Sequence, residues 1–117
     1  SRNHYSPRMK RVVDTFRVAR EIRRGSVGLK IGLIARREAD LYIHLSPHTK
    51  QWDTCAPQII LEEAGGHLTD IFGGSITYNT PDVRNHNGIL ASNHTVHEES
   101  VEKLGILLSE FGRHKRL

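Results

Sequence analysis

A proline lies within the apolar run of QWDTCAPQIILEEAGG, residues 51–66, and it limits where a helix through this stretch can begin. Proline has no N–H, and its ring collides with the carbonyl four residues back, so it is tolerated about the first turn of a helix. The helix carrying Pro57 is therefore predicted to start near Asp53 or Thr54, which places the Asp53 carboxylate at a helix N-terminus. Two readings follow. The carboxylate caps free backbone N–H groups, for about 1 kcal/mol, or it binds a metal at the lip of a cleft. Glu62 and Glu63 sit roughly 13–15 Å further along the same helix. They cannot share an ion with Asp53 and read as its solvated face. The other acids are scattered, with no D-x-D pair, so a magnesium ion on Asp53 needs ligands from outside this chain.

The rest of the pattern is alternating α/β, the fold class expected being a layered mixed sheet flanked by helices. SPRMKRVVDTFRVAREI has apolar residues at 9, 12, 13, 16 and 19, a helical period, with Ser6 as N-cap and Pro7 in the first turn. GSVGLKIGLIARR predicts a second helix entered at Gly25–Ser26. ADLYIHLS alternates Leu41 and Ile43 against Tyr42 and His44 and reads as a strand closed by Pro47. HLTDIFGGSITY predicts one or two short strands around Gly73–Gly74, GILASN a buried strand, and residues 78–88 a loop. Residues 95–111 predict a last helix with Val101, Leu104, Leu107 and Leu108 inward. At 117 residues this amounts to one domain, 1–117. Its apolar runs fall far below the roughly 20 residues of a membrane-spanning helix, so no membrane partner is expected. One cysteine excludes an internal disulfide and fits a reducing, cytoplasmic compartment.

Charge is uneven. Residues 2–37 carry eleven Arg or Lys against Asp14 and Glu21, leaving +9 there, although the whole chain is +4. This admits an anionic ligand, a solvated basic helix face, or a non-enzymatic nucleic-acid or anion-binding module. Within it, RGSVGLK, residues 24–30, matches neither a Walker loop nor G-x-G-x-x-G. A small-residue turn entering a helix nevertheless leaves N–H groups free, and Lys30 one turn later adds a point charge for a phosphate. Trp52 reads as core and Cys55 as a small buried packing residue. His94 and His97, three apart with no third ligand, read as a surface helix face, and RHKRL as a frayed tail.

Together W-D-T-C-A-P-x-x-I-L-E-x-A-G-G, the T-D that follows it, G-S-x-G-L-K and the opening S-R-N-H resemble the C-terminal half of the inositol-monophosphatase-like superfamily of magnesium-dependent phosphatases. The match is closest to its 3'(2'),5'-bisphosphate nucleotidases and runs from residue 1 to about 93. The resemblance implies hydrolysis of the 3'-phosphate of adenosine 3',5'-bisphosphate, with Mg2+ as cofactor and Asp53 as a metal ligand. It also implies that Ser1, His4, Ser26 and Lys30 contact the nucleotide. Asn3 departs from the commoner S-R-S-H. The family's E-E and D-P-[IL]-D-G-[ST] motifs, which supply the other metal ligands and hold the attacking water, would lie upstream, and neither precedes Asp53 in this chain. An opening without methionine and those missing motifs imply a partner, the N-terminal half of the same enzyme. Without it the chain is expected to be inactive and to self-associate through an uncovered apolar face. A sibling phosphatase of inositol or sugar phosphates is the alternative reading.

Overall fold

The computed structural model describes residues 6–18, 21, 26–78, 80–93 and 95–116. Ser6 caps helix α1, Pro7–Phe16, by accepting the Met9 N–H at 3.1 Å, with Pro7 in the first turn as its fixed φ favours. Arg17, in the left-handed conformation at φ 52°, ends α1 sooner than the apolar period predicts, and position 19 lies outside the described residues. Ser26 caps α2, Val27–Ala35, in the same way, through the Leu29 N–H.

Strand β1 is Leu41–His44, α3 is Gln51–Glu63, β2 is His67–Thr69, β3 is Ile89–Ser92 and α4 is His97–Phe111. The sheet order is β1-β3-β2, and both outer strands pair antiparallel to β3, with Ile43 opposite Leu90 and Leu68 opposite Ala91. The layered α/β class stands, but the described strands form an antiparallel sheet in place of a mixed one. Of the one or two short strands expected in HLTDIFGGSITY, one forms, at His67–Thr69, and it ends before Gly73–Gly74: the chain turns after Thr69, with the Asp70 carboxylate accepting the Phe72 and Gly74 N–H groups.

Every residue of β3 is buried, as expected for a central strand covered on both faces. Leu90 and Ile43 pack with Val12, Leu104, Leu107 and Leu108, which sets α1 and α4 on one face. Ile89, Ala91 and Leu68 pack with Ile31, Ile34 and Leu61, which sets α2 and α3 on the other.

Several expectations are corrected. Helix α3 begins at Gln51, two residues before Asp53, and Pro57 lies inside it beyond the first turn. Trp52 is 66% exposed and Cys55 is exposed, because both lie on the side of α3 that faces away from the sheet. His97 is buried, not a surface residue: its ring bridges Thr69 Oγ1 at 2.9 Å and Ser92 Oγ at 2.6 Å. The Thr69 hydroxyl donates to the Asp70 carbonyl and the Ser92 hydroxyl reaches the Asn93 carbonyl, so each ring nitrogen of His97 has a hydroxyl oxygen beside it. His94 lies outside the described residues. The tail is docked, with Arg113 donating to the Leu45 and His86 carbonyls and Asn87 gripping the Arg116 backbone.

Among the described residues, no helix is long and apolar enough to cross a membrane.

Candidate functional site

Helices α2 and α3 lie side by side over one sheet face, closely enough that a Cβ on Gly28 would touch Pro57 Cγ at 3.7 Å. Lys30, on the second turn of α2, holds its ammonium 5.3 Å from the centroid of the Tyr42 ring on β1. A cation over an aromatic face is attracted by the ring quadrupole. Burial pushes the Tyr42 hydroxyl up to about 12, and the negative charge of Asp53 adds to the shift. Tyr42 thus lies within the field of both Lys30 and Asp53.

His44 follows two residues on, on the same face of β1, with its ring 6.2 Å from that of Tyr42. Burial first, then the nearby positive charge of Lys30, lowers it to about 4, so it is neutral at pH 7. One sheet edge therefore presents a cation, a phenol, a neutral imidazole and a carboxylate.

Asp53 is the third residue of α3. Its Oδ2 accepts the Lys50 N–H at 2.9 Å, a reach-back to the N-cap residue. The capping reading of Asp53 is met by Oδ2, and among the described residues Oδ1 is left without a hydrogen bond. Among the described residues no three His, Cys, Asp or Glu side chains gather to hold a metal. One hard carboxylate oxygen fits one coordination position of magnesium but not a whole site.

Of the residues singled out in the sequence, Lys30 and Asp53 both act on Tyr42, while Ser26 caps α2 one turn before Lys30. The Ser26 oxygen accepts the Leu29 N–H at 3.2 Å, which leaves its O–H to donate outward. Ser1 and His4 lie outside the described residues. Sequence reasoning missed Tyr42 and His44. The signal was present in the strand alternation, which puts both on the face opposite Ile43.

The basic first third is partly neutralised by its own fold. Lys10 pairs with Asp14 at 3.1 Å, Arg11 with Glu110 at 2.7 Å and Arg36 with Glu38 at 3.2 Å, while Arg8 stacks on Phe111.

Fold and site together describe a layered α/β domain in which a lysine and a carboxylate act on one tyrosine of an edge strand. The sequence profile of the Inositol monophosphatase family matches residues 2–107, and the chain belongs to that family. It is 36% identical over 96 residues to 3'(2'),5'-bisphosphate nucleotidase 1 of Dictyostelium discoideum, covering 79% of this chain and 31% of that protein. It is 44% identical over 73 residues to the protein of the same name from Homo sapiens, covering 61% of this chain and 23% of that one. Among solved structures, the inositol monophosphatase from Anabaena (Nostoc) superposes with a TM-score of 0.58 at 28% identity, covering 70% of this chain and 29% of that chain. The chain thus spans less than a third of the length of these relatives.

Proposed function

We propose that this domain is the C-terminal, substrate-gripping half of a magnesium-dependent phosphatase that removes the 3'-phosphate of adenosine 3',5'-bisphosphate. The observation that carries this reading is the Asp53 carboxylate at the start of α3, one oxygen of which has no hydrogen bond among the described residues, near the Tyr42 ring that Lys30 also approaches. The relatives named 3'(2'),5'-bisphosphate nucleotidase 1 support the choice of substrate, and the inositol monophosphatase family generally uses magnesium.

In this reading Lys30 and the free N–H groups of α2 hold a phosphate, Ser26 donates to it, and Ser1 and His4 contact the nucleotide. Asp53 contributes one metal ligand, and the remaining carboxylates come from the N-terminal half. When bound, magnesium would activate water and neutralise the leaving oxygen. Neutral His44 adds no charge beside the bound anion. The same half covers the outward side of α2 and α3, where Leu29, Trp52, Ile59 and Ile60 are each more than half exposed. Uncovered, that face drives self-association.

The test is magnesium-dependent phosphate release from adenosine 3',5'-bisphosphate, beside inositol monophosphate, by full-length protein and by the 117-residue chain purified to one mass. The full-length protein is expected to prefer the nucleotide. The chain alone is expected to be inactive and to scatter light as more than a monomer. In full-length protein, Asp53→Asn keeps the capping oxygen and removes the charge, so melting should move little while turnover falls by orders of magnitude. Unchanged turnover in Asp53→Asn would overturn the metal role, and preference for inositol monophosphate would move the assignment to the sibling phosphatases.

A further inference from the structure

The turn that carries Asp53 is closed by the Asp53 N–H on the Lys50 carbonyl at 2.9 Å, but it lacks one bond that an uninterrupted helix would have. Pro57 has no N–H to offer the Asp53 carbonyl, so one backbone bond of the first turns of α3 is missing. The N-cap residue is Lys50, whose ammonium has no acceptor, so the reach-back from Asp53 to the Lys50 N–H is not reciprocated by the Lys50 side chain. The position of the carboxylate therefore depends on the position of the Lys50 peptide.

That peptide is gripped from a distant loop. Asn85, which is buried, donates its Nδ2 to the Lys50 carbonyl at 3.0 Å and to Thr49 Oγ1 at 3.1 Å, with Thr54 Oγ1 further off at 3.4 Å. Two amide protons serve the two nearer acceptors, and the third contact is shared. The Asn85 N–H also bonds the Thr49 carbonyl at 2.8 Å, and the Gln51 N–H bonds the Val83 carbonyl at 2.7 Å, so residues 83–85 lie against 49–51 like a short strand pair. Thr54, fully buried, accepts from Tyr78 and donates to the Gln51 carbonyl, tying the next residue of the turn to the same network.

We infer that Asn85 is a positioning residue for Asp53: by holding the Lys50 peptide it fixes the carboxylate's direction, and hence the affinity of the site for a divalent cation. The metal arm of this inference rests on the proposed function; the structural arm does not. Outer groups that orient a metal ligand commonly change metal affinity by about 10–100-fold when removed.

The test uses full-length protein and compares Asn85→Ala with Gly66→Ala, a variant destabilised away from this turn. Hydrogen exchange of a peptide spanning residues 50–58 should rise about tenfold or more in Asn85→Ala under native conditions, and not in Gly66→Ala. The magnesium concentration for half-maximal phosphate release should rise about tenfold or more. At saturating magnesium, the nucleotide KM should change by less than about twofold. Unchanged exchange in Asn85→Ala overturns the inference. So does a magnesium shift no larger than that of Gly66→Ala. If wild-type protein shows no magnesium-dependent release, the functional reading fails on its own and exchange alone decides whether Asn85 holds the turn.

Discussion

Lowering the pH should destabilise this fold through His44 in a window that its surroundings define. An unfolded histidine takes up its proton near pH 6.5, whereas His44 in the fold does so only at about 4, held down first by burial and then by Lys30. Between those values the unfolded chain binds more protons, so stability rises with pH, is complete above about 6.5 and is lost as pH falls towards 4. At 1.36 kcal/mol per pH unit the gap corresponds to about 3 kcal/mol, and the partial exposure of the ring reduces that to about 2 kcal/mol. The assay is urea denaturation at several values between pH 7.5 and 4, on wild type and on His44→Phe, which keeps an aromatic ring and cannot titrate. His97, whose pKa is also lowered by burial and by His67, acts in the same direction, but it is present in both proteins and cancels in their difference. Wild type should lose about 2 kcal/mol more than His44→Phe over this range. High salt should shrink only the part due to nearby charges, Lys30 first and His48 after it. Parallel stability curves for the two proteins would refute the reasoning.

Two further outcomes are expected. In full-length protein, Lys30→Ala should raise KM for the bisphosphorylated nucleotide by about 10-fold or more, as loss of a charge-assisted contact implies, and raise it less for a simple phosphomonoester. Steady-state kinetics on both substrates checks this. Gly66→Ala places a Cβ 2.8 Å from Leu61 Cγ and from the Ser92 carbonyl oxygen, between α3 and the buried strand β3. It should cost about 1–3 kcal/mol in the denaturation midpoint, because neither neighbour can move freely.

The helix starts were legible in the sequence because a cap is a local event. Ser6–Pro7 and Ser26 satisfy N–H groups three residues away, and no distant contact is needed to foresee it. The same holds for β3, whose unbroken apolar run fits a strand covered on both faces. Pro57 was misleading for a related reason. Its local rule confines it to the first turn, yet the network through Asn85, Thr54 and Gln51 holds the turn ahead of it and lets α3 begin earlier.

By itself the sequence determined the periodicity and the caps. Its motifs also determined the resemblance that singled out Asp53, Lys30 and Ser26. Only the tertiary structure decided which faces these elements turn towards each other. Trp52 is as apolar as any core residue, but its burial depends on what covers α3, and nothing described here does. His97 is as polar as a surface residue, but β2 and β3 bring hydroxyls to both of its ring nitrogens, so it can be buried neutral. The tail RHKRL looks disposable in one dimension, yet three-dimensional packing sets it against carbonyls 27 and 68 residues away. Tyr42 became part of the candidate site only when the fold brought it under Lys30 and within the field of Asp53. Hydrophobicity and charge belong to a residue, but burial and field belong to the neighbours that the fold supplies.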